Sequence, residues 1–154
     1  MTAMAFGNQG NAIAPDAPDD RLALIDFGTG IERRFTYGDL RRDTGAVARG
    51  LLNRGLKRGD RVAILALNRA ELLFSFLGAM QAGLVAVPVN HKLPPDTVRY
   101  VVDDCDARIV LGDAARLALT PGSVAKVCFD DGFDELLDDG PFTPVEMQPE
   151  VRRY

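Results

Sequence analysis

The clearest pattern of apolar and polar residues lies between residues 60 and 90. It opens with a run too apolar to have a solvated face, made of Val62, Ile64, Leu65 and Leu67. Such a run is typical of a strand covered on both sides of a parallel sheet. Apolar residues then recur at helical spacing, at Leu73, Phe76, Leu77 and Met80, and a second apolar run occupies residues 84–89. Strand, helix and strand in this order predict a right-handed crossover between parallel strands.

Capping residues indicate where this helix begins and ends. Asn68 can accept hydrogen bonds from the first-turn amides, and Glu71 can bond back to the Asn68 backbone, which predicts a capping box. Gly83 lies where a left-handed residue closes a helix. The pattern therefore predicts a helix that starts at Asn68 and stops just before Gly83.

The segment before residue 60 reads as a hairpin followed by a long helix. Apolar runs at residues 22–27 and 31–37 flank Gly28-Thr29-Gly30, which predicts a β-hairpin. A Gly-Thr-Gly sequence can also cradle phosphate, but that use needs a helix directly afterwards, and here a second strand follows. Thr36 and Asp39 then predict a capped helix ending at Gly55. Its apolar stripe comprises Tyr37, Leu40, Val47, Leu51 and Leu52.

The alternation of strands and helices continues beyond residue 90. Pro95 suits the first turn of a helix with the stripe Val98, Val101, Val102 and Cys105. After it come a strand at 108–111, a short helix at 114–119, a strand at 124–129 and a helical turn at 133–137. The predicted fold class is therefore α/β, a parallel sheet of the doubly wound type with flanking helices, preceded by the β-hairpin.

Composition divides the chain into three parts. Residues 1–20 are rich in Ala, Gly, Asn, Pro and Asp without periodicity, which predicts a flexible amino-terminal segment. Residues 21–140 contain every predicted strand and helix and are expected to form one incomplete subdomain. Residues 141–154 hold three prolines and scattered apolar residues, which is typical of a connection.

Charge and cysteine content argue against several classes of function. The chain of 154 residues carries 18 basic and 22 acidic residues without a basic stripe, which argues against nucleic-acid binding. Neither Cys105 nor Cys128 has a His, Cys or Asp neighbour at the spacing that a metal site needs, so we expect two buried thiols in a reducing compartment. We expect no signal peptide, because residues 1–20 lack Lys, Arg and a sustained apolar run, and no segment nears the ~18 apolar residues of a transmembrane helix. The predicted location is cytoplasmic.

Four stretches of sequence carry a family resemblance. They are Phe-Thr-Tyr-Gly-Asp-Leu at 35–40, Gly-Leu-Lys-Arg-Gly-Asp-Arg-Val-Ala at 55–63, Met-Gln-Ala-Gly-Leu-Val-Ala-Val-Pro-Val-Asn at 80–90 and Asp-Asp-Cys-Asp-Ala-Arg-Ile-Val-Leu at 103–111. In this order they resemble the amino-terminal part of the AMP-forming acyl-CoA synthetases. These enzymes belong to the adenylate-forming superfamily, with acyl- and aryl-CoA ligases, peptide-synthetase adenylation domains and luciferase. The resemblance covers residues 21–129.

The resemblance implies a two-step reaction in the full-length parent, whose partners are a small carboxylic acid, ATP with Mg, and CoA. The acid forms an acyl-adenylate and pyrophosphate, and the CoA thiol then displaces AMP. The family's Thr-Ser-Gly-Thr-Thr-Gly-x-Pro-Lys-Gly phosphate loop does not occur in residues 1–154, nor do its later acidic motifs and lysine domain. We therefore expect this chain to contribute no catalytic or metal-binding residue and to bind no cofactor alone.

The loop after residue 89 holds the one candidate contact, because parallel sheets place ligands at the carboxyl ends of their strands. Some family members place a basic residue near Lys92, so the resemblance implies a contact between this lysine and the CoA phosphates; the alternative is a solvated lysine. His91 departs from the small residues or proline common at its position, and without a partner in sequence it is expected to be a surface side chain.

Two functions stay open at this point. The chain is either an inactive amino-terminal fragment of an acyl-CoA synthetase or a free-standing α/β binding or interaction module without catalysis. Fatty, short and aromatic acids are all compatible with the sequence. Because few helices are available to cover the apolar strands, we also expect the chain to self-associate.

Overall fold

The computed structural model describes residues 7–147, and its strands and helices follow the predicted order. The strands are β1 (Leu22–Asp26), β2 (Arg33–Thr36), β3 (Arg61–Leu65), β4 (Val85–Pro88), β5 (Ala107–Gly112) and β6 (Ala125–Cys128). The helices are α1 (Tyr37–Asn53), α2 (Ala70–Gln81), α3 (Pro95–Asp104) and α4 (Ala114–Leu117), and a single 3₁₀ turn spans Gln9–Asn11. The predicted hairpin, formed by antiparallel β1 and β2, is confirmed.

The four remaining strands form one parallel sheet in the order β4-β3-β5-β6. In the register of this sheet, Ile64 of β3 lies between Pro88 of β4 and Leu111 of β5. Pro88 has no backbone N–H to donate, and its position on the edge strand β4 is where a sheet tolerates proline.

Helices cover both faces of this sheet, so the doubly wound α/β class is confirmed. On one face, Val62 and Ile64 of β3 pack with α1 and α2 in a core that includes Leu51 and Phe74. On the other face, Ala63, Leu65 and Val110 pack with Val98 and Val102 of α3 and Leu117 of α4. β3 buries both sets of side chains because it lies inside the sheet.

Local sequence signals set the start and end of α1 as predicted. Thr36 is the N-cap, and its hydroxyl accepts from the backbone N–H of Asp39 at 3.1 Å. The Asp39 carboxylate accepts from the Thr36 backbone N–H at 2.8 Å, which completes the capping box. Gly55 follows the C-cap with φ of 87°, a left-handed conformation that glycine adopts without strain.

The predicted start of α2 is wrong. Its N-cap is Arg69, and no side-chain hydrogen bond caps this end of the helix. Glu71 does not bond back to Asn68, because arginines bind its carboxylate. The strand before α2 also ends at Leu65, and Leu67 is 40% exposed rather than part of a buried strand.

The predicted apolar stripe of α2 is shifted. Leu73, Phe76 and Met80 are only half-buried, whereas the fully packed face carries Ala70, Phe74, Ser75, Leu77, Gly78 and Gln81. The small residues explain the shift. A side chain at Gly78 would approach Val47 of α1 to 2.7 Å, so the two helices lie closest along this face.

The amino-terminal segment and the segment after residue 140 meet beside α2. The side-chain amide of Asn8 donates to the carbonyls of Gln81 and Val145 at 3.2 and 2.9 Å. Gln81 donates in turn to the carbonyl of Gly10 at 3.0 Å. These contacts hold residues of the predicted flexible segment 1–20 against the helices, and the mobility of that segment stays a prediction. Residues 1–6 and 148–154 lie outside the described range.

Two further expectations concern the burial of the cysteines and the presence of a transmembrane helix. Cys105 and Cys128 are partly exposed rather than fully buried, and burial still raises the pKa of each thiol. Cys105 is the C-cap of α3, and Cys128 is the last residue of β6. Within residues 7–147, no helix combines the length and the apolar content that a membrane crossing requires.

Candidate functional site

The carboxyl ends of the parallel strands bring four connections to one edge of the sheet. They begin at Ala66 after β3, Val89 after β4, Asp113 after β5 and Phe129 after β6. The chain leaves β3 for α2 on one face and leaves β5 for α4 on the other face. The crevice between β3 and β5 is thus the topological switch point, where sheets of this type bind ligands.

Asp113 occupies this switch point. Its carboxylate accepts from the backbone N–H of Leu67 at 3.1 Å, which ties the loop after β3 to the end of β5. It also accepts from the backbone N–H of Arg116 at 3.1 Å and so caps α4. The side chain is buried. Asp113 therefore bridges the two strands and has no carboxylate oxygen left without a partner.

Beside the switch point, Glu71 joins two arginines into an ionic cluster. Glu71 is 7% exposed and accepts from Arg33 at 2.6 and 2.9 Å. It accepts also from Arg69 at 2.8 Å. Arg33 binds Asp26 as well, and Arg69 binds Asp130 at 2.6 Å. We call these five residues, Asp26, Arg33, Arg69, Glu71 and Asp130, the ionic cluster.

The ionic cluster fixes the charge state of its acids. Burial raises the pKa of Glu71, but hydrogen bonds from Arg33 and Arg69 outweigh it and lower the pKa to about 2. Burial also raises the pKa of Asp26, but hydrogen bonds from the backbone N–H of Gly28 and from the Arg33 guanidinium outweigh it and lower the pKa. At Asp130, the backbone N–H of Ala114 and the Arg69 guanidinium lower the pKa. All three carboxylates are ionised at neutral pH.

The ionic cluster suits a structural role better than a catalytic one. A general base near neutral pH needs a pKa near 7, and these carboxylates have lowered values. The described residues also contain no group of three or more His, Cys, Asp or Glu residues arranged to hold a metal ion. The cluster links the hairpin, α2 and the end of β6, and so fixes how the hairpin lies on the sheet.

A groove of about 480 Å³ lies between the hairpin and the amino end of α2. Its walls are mostly apolar and include Leu24, Phe27, Leu72 and Leu73. At Gly28 the hairpin backbone lies very close to the residues that precede α2, because a Cβ at this position would lie 2.2 Å from the carbonyl oxygen of Asn68. The Gly28-Thr29-Gly30 loop thus serves close packing and a turn, as the hairpin interpretation implies.

The sequence-predicted candidates lie in the loop after β4. The Lys92 side chain is exposed, and its backbone N–H donates to the Asn90 side chain at 2.9 Å. His91 is half-buried. Within residues 7–147, neither side chain makes a hydrogen bond or an ion pair, so the structure does not bring either of them into the ionic cluster.

Sequence reasoning missed the ionic cluster and Asp113, although signals for both are present. Asp26 and Arg33 flank the hairpin loop and are direct cross-strand partners, which opposite charges favour. Asp113 stands between a buried strand and a helix, the usual place for an N-cap at the carboxyl edge of a sheet. The pairing of Arg33 with Glu71 spans 38 residues and has no local signal.

Comparison with known protein families gives one match over most of the chain. The sequence profile described as AMP-binding enzyme matches residues 12–149. This range includes the hairpin, the whole parallel sheet and the ionic cluster.

Two curated relatives show what the chain resembles. It is 38% identical over 123 residues to the 3-hydroxybenzoate–CoA ligase of Aromatoleum sp. (strain CIB), which covers 72% of the chain. It is 30% identical over 129 residues to a medium/long-chain-fatty-acid–CoA/3-oxocholest-4-en-26-oate–CoA ligase of Mycolicibacterium smegmatis, which covers 79% of the chain. The matched region is 23% of the length of each relative.

A solved structure agrees with the fold. The amino-terminal subdomain of Klebsiella oxytoca NpsA, in complex with 3-hydroxyanthranilyl-AMSN, matches with a TM-score of 0.74 and 26% identity. The match covers 95% of this chain and 37% of that subdomain.

Proposed function

The chain belongs to the AMP-binding enzyme family, and we propose that it is the amino-terminal part of an ATP-dependent, AMP-forming acyl-CoA synthetase. The observation that carries this proposal is the profile match over residues 12–149. The similarity to two CoA ligases supports it. In the parent, a carboxylic acid and ATP give an acyl-adenylate and pyrophosphate, and CoA then gives the acyl-CoA and AMP.

The described residues of this chain do not supply the chemistry of adenylation. That step needs a phosphate cradle, metal-binding carboxylates and a cation for developing charge. The acids at the carboxyl edge, Glu71, Asp113 and Asp130, are all engaged by arginines or backbone amides within the described range. They do not fit a magnesium–nucleotide site. We infer that the chain acts as scaffold and is inactive by itself.

Lys92 is the residue of this chain that we propose to contact substrate. It lies at the carboxyl edge of the sheet, its side chain is exposed, and no carboxylate in the described range pairs with it. A mobile ammonium of this kind suits a phosphate group of CoA. This contact would hold CoA without touching the thiol that reacts.

Fatty, short and aromatic acids are all candidates for the acid that the parent activates, because the relatives described above are named for acids of different classes. One relative is named for an aromatic acid, 3-hydroxybenzoate, and the other for fatty acids and a steroid acid.

The reading frame beyond codon 154 tests the proposal against a free-standing α/β binding module. We expect an in-frame Ser/Thr- and Gly-rich loop with Pro-Lys-Gly soon after codon 154. A natural stop codon at that point, with no such loop, would favour the binding module instead.

We also propose that the chain self-associates through its hairpin. Leu22, Ile25, Phe27 and Ile31 are all exposed, and the last two are 64% and 72% exposed. The reason expected from the sequence is wrong, because helices cover both faces of the parallel sheet. Four of the exposed large apolar residues in the described range lie on the hairpin, whereas the parallel sheet exposes Val85 of its edge strand β4. Exposed apolar clusters of this kind mark association surfaces.

A further inference from the structure

A second concave surface lies at the opposite edge of the sheet, where β5 and β6 begin. It encloses about 400 Å³ and is lined by Arg54, Gly55, Leu56, Arg108, Ile109 and Ala125. We call it the arginine pocket. Its volume falls in the range of small-molecule sites. Since it lies at the amino ends of the strands, it is separate from Lys92 and from the ionic cluster.

The pocket has a charged rim and an apolar floor. Leu56 and Ile109 are buried at 9% and 2% exposure and belong to the core. Arg54 and Arg108 are exposed. Among its described lining residues there is no carboxylate. The surface therefore offers positive charge beside apolar carbon, in a chain whose net charge is −4.

Both guanidinium groups lack an acidic partner within residues 7–147. Arg54 makes one long hydrogen bond, 3.5 Å to the carbonyl of Glu135. By contrast, neighbouring Arg61 is bound to Asp106. The two arginines thus keep free donors that a ligand can accept from.

An irregularity in the pairing of β3 with β5 places Arg108 at this rim. In the pairing of β3 with β5, Arg61 faces Ala107 and the next residue, Val62, faces Ile109. Arg108 is therefore an extra residue, a β-bulge, which is rare in parallel pairs and re-aims side chains near functional sites. Arg54 is the C-cap of α1, where the helix dipole favours a cation.

We propose that the arginine pocket binds a small phosphate monoester that carries an apolar or aromatic group. Guanidinium groups bind phosphate through paired, charge-assisted hydrogen bonds. Exposed Ala125 and the methylene stems of the two arginines would contact the apolar part of the ester, above the floor that Leu56 and Ile109 close. This site is independent of the acyl-CoA synthetase function.

Titration of the 154-residue chain with phenyl phosphate, followed by NMR and calorimetry, tests this site. We expect saturable 1:1 binding with shifts at Ile109 and Ala125. Arg54→Gln and Arg108→Gln should each weaken binding by about tenfold. Arg108→Lys should weaken it by less, because lysine keeps the positive charge but cannot donate the two parallel hydrogen bonds of a guanidinium group. Circular dichroism spectra of the variants should match that of the original chain, because both arginines are exposed.

Arg99→Gln is the matched control, because Arg99 is an exposed arginine on α3 and its loss changes net charge equally. It should leave the affinity unchanged. Equal weakening by all three Gln variants, or no saturable binding by the original chain, would overturn the site. Inorganic phosphate should bind more weakly than phenyl phosphate, and equal affinity of the two would overturn the apolar contact.

Discussion

Glu71 joins the hairpin to the start of α2 through two arginines. Its buried carboxylate binds Arg33 from the hairpin and Arg69 from the start of α2. Glu71→Gln keeps the shape of the side chain but removes the charge, so both arginines lose a partner. Because each arginine keeps a second acid, we expect a loss of about 3 kcal/mol in the free energy of unfolding, at the low end for a broken buried pair. Urea denaturation measures this.

The control for this substitution is Glu32→Gln. Glu32 pairs with Arg34 on the exposed side of the hairpin. Exposed pairs contribute little, so we expect a change below about 0.5 kcal/mol. Equal losses in the two variants would contradict a special role for Glu71.

The effect of Glu71→Gln should also depend on pH. The pKa of Glu71 is lowered from its ordinary value of 4.5 to about 2 in the folded state. Between these values the unfolded state binds more protons, so stability falls as pH falls through this window. Glu71 accounts for a loss on the order of 3 kcal/mol there. The difference between the original chain and the variant should shrink from pH 5 to pH 2, and a constant difference would contradict the lowered pKa.

Lys92 gives a prediction for the full-length parent. Lys92→Ala should raise the KM for CoA by about tenfold and leave adenylate formation unchanged, because a phosphate contact away from the thiol contributes binding and not chemistry. Lys57→Ala, at an exposed lysine on the opposite edge of the sheet, should change neither value. An equal loss of activity in the adenylation step would show that Lys92 acts in folding or in ATP binding instead.

At the scale of helices and strands, the contact between the hairpin and α2 depends on Gly28. A Cβ at this position would lie 2.2 Å from the Asn68 carbonyl oxygen and 2.7 Å from Arg69 Cβ. Gly28→Ala must therefore push the hairpin away from α2. We expect a loss of about 2 kcal/mol in unfolding free energy, as for other overpacked sites.

Gly122→Ala is the matched control, since no atom lies within 4 Å of a Cβ there. It should change stability by less than about 0.5 kcal/mol. Thermal unfolding of both variants compares them. A Gly28 variant as stable as the Gly122 variant would show that the hairpin does not pack closely on α2.

Local signals predicted most of the strands and helices, and the failures at α2 arise from contacts with distant parts of the chain. The Thr36–Asp39 capping box, the hairpin and Gly83 act within a few residues, and the structure confirms them. Glu71 was assigned to a local capping box but binds Arg33 from a distant strand. Long-range ion pairs override local propensities and leave no periodic signal, so the bond from Arg33 to Glu71 could not be predicted, whereas the cross-strand pair of Asp26 and Arg33 does leave a local signal.

At the scale of the whole molecule, the exposed hairpin predicts self-association. Size exclusion with light scattering over a dilution series should show a dimer or larger species that dissociates on dilution. Replacing Phe27 and Ile31 by Ser should shift the equilibrium towards monomer, because both side chains are largely exposed.

Tyr100→Ser is the control for association, since Tyr100 is 65% exposed but lies on α3. It should leave the equilibrium unchanged. A monomer at tens of micromolar with no binding of an apolar dye would refute association through the hairpin.

Acid-dependent pyrophosphate release tests the central proposal most directly. The assay compares the product of the complete reading frame with the 154-residue chain, using ATP and a panel of fatty and aromatic acids. We predict release by the complete product with at least one acid and none by the chain alone. Release by the chain alone, or none by the complete product with any acid, would contradict the proposal.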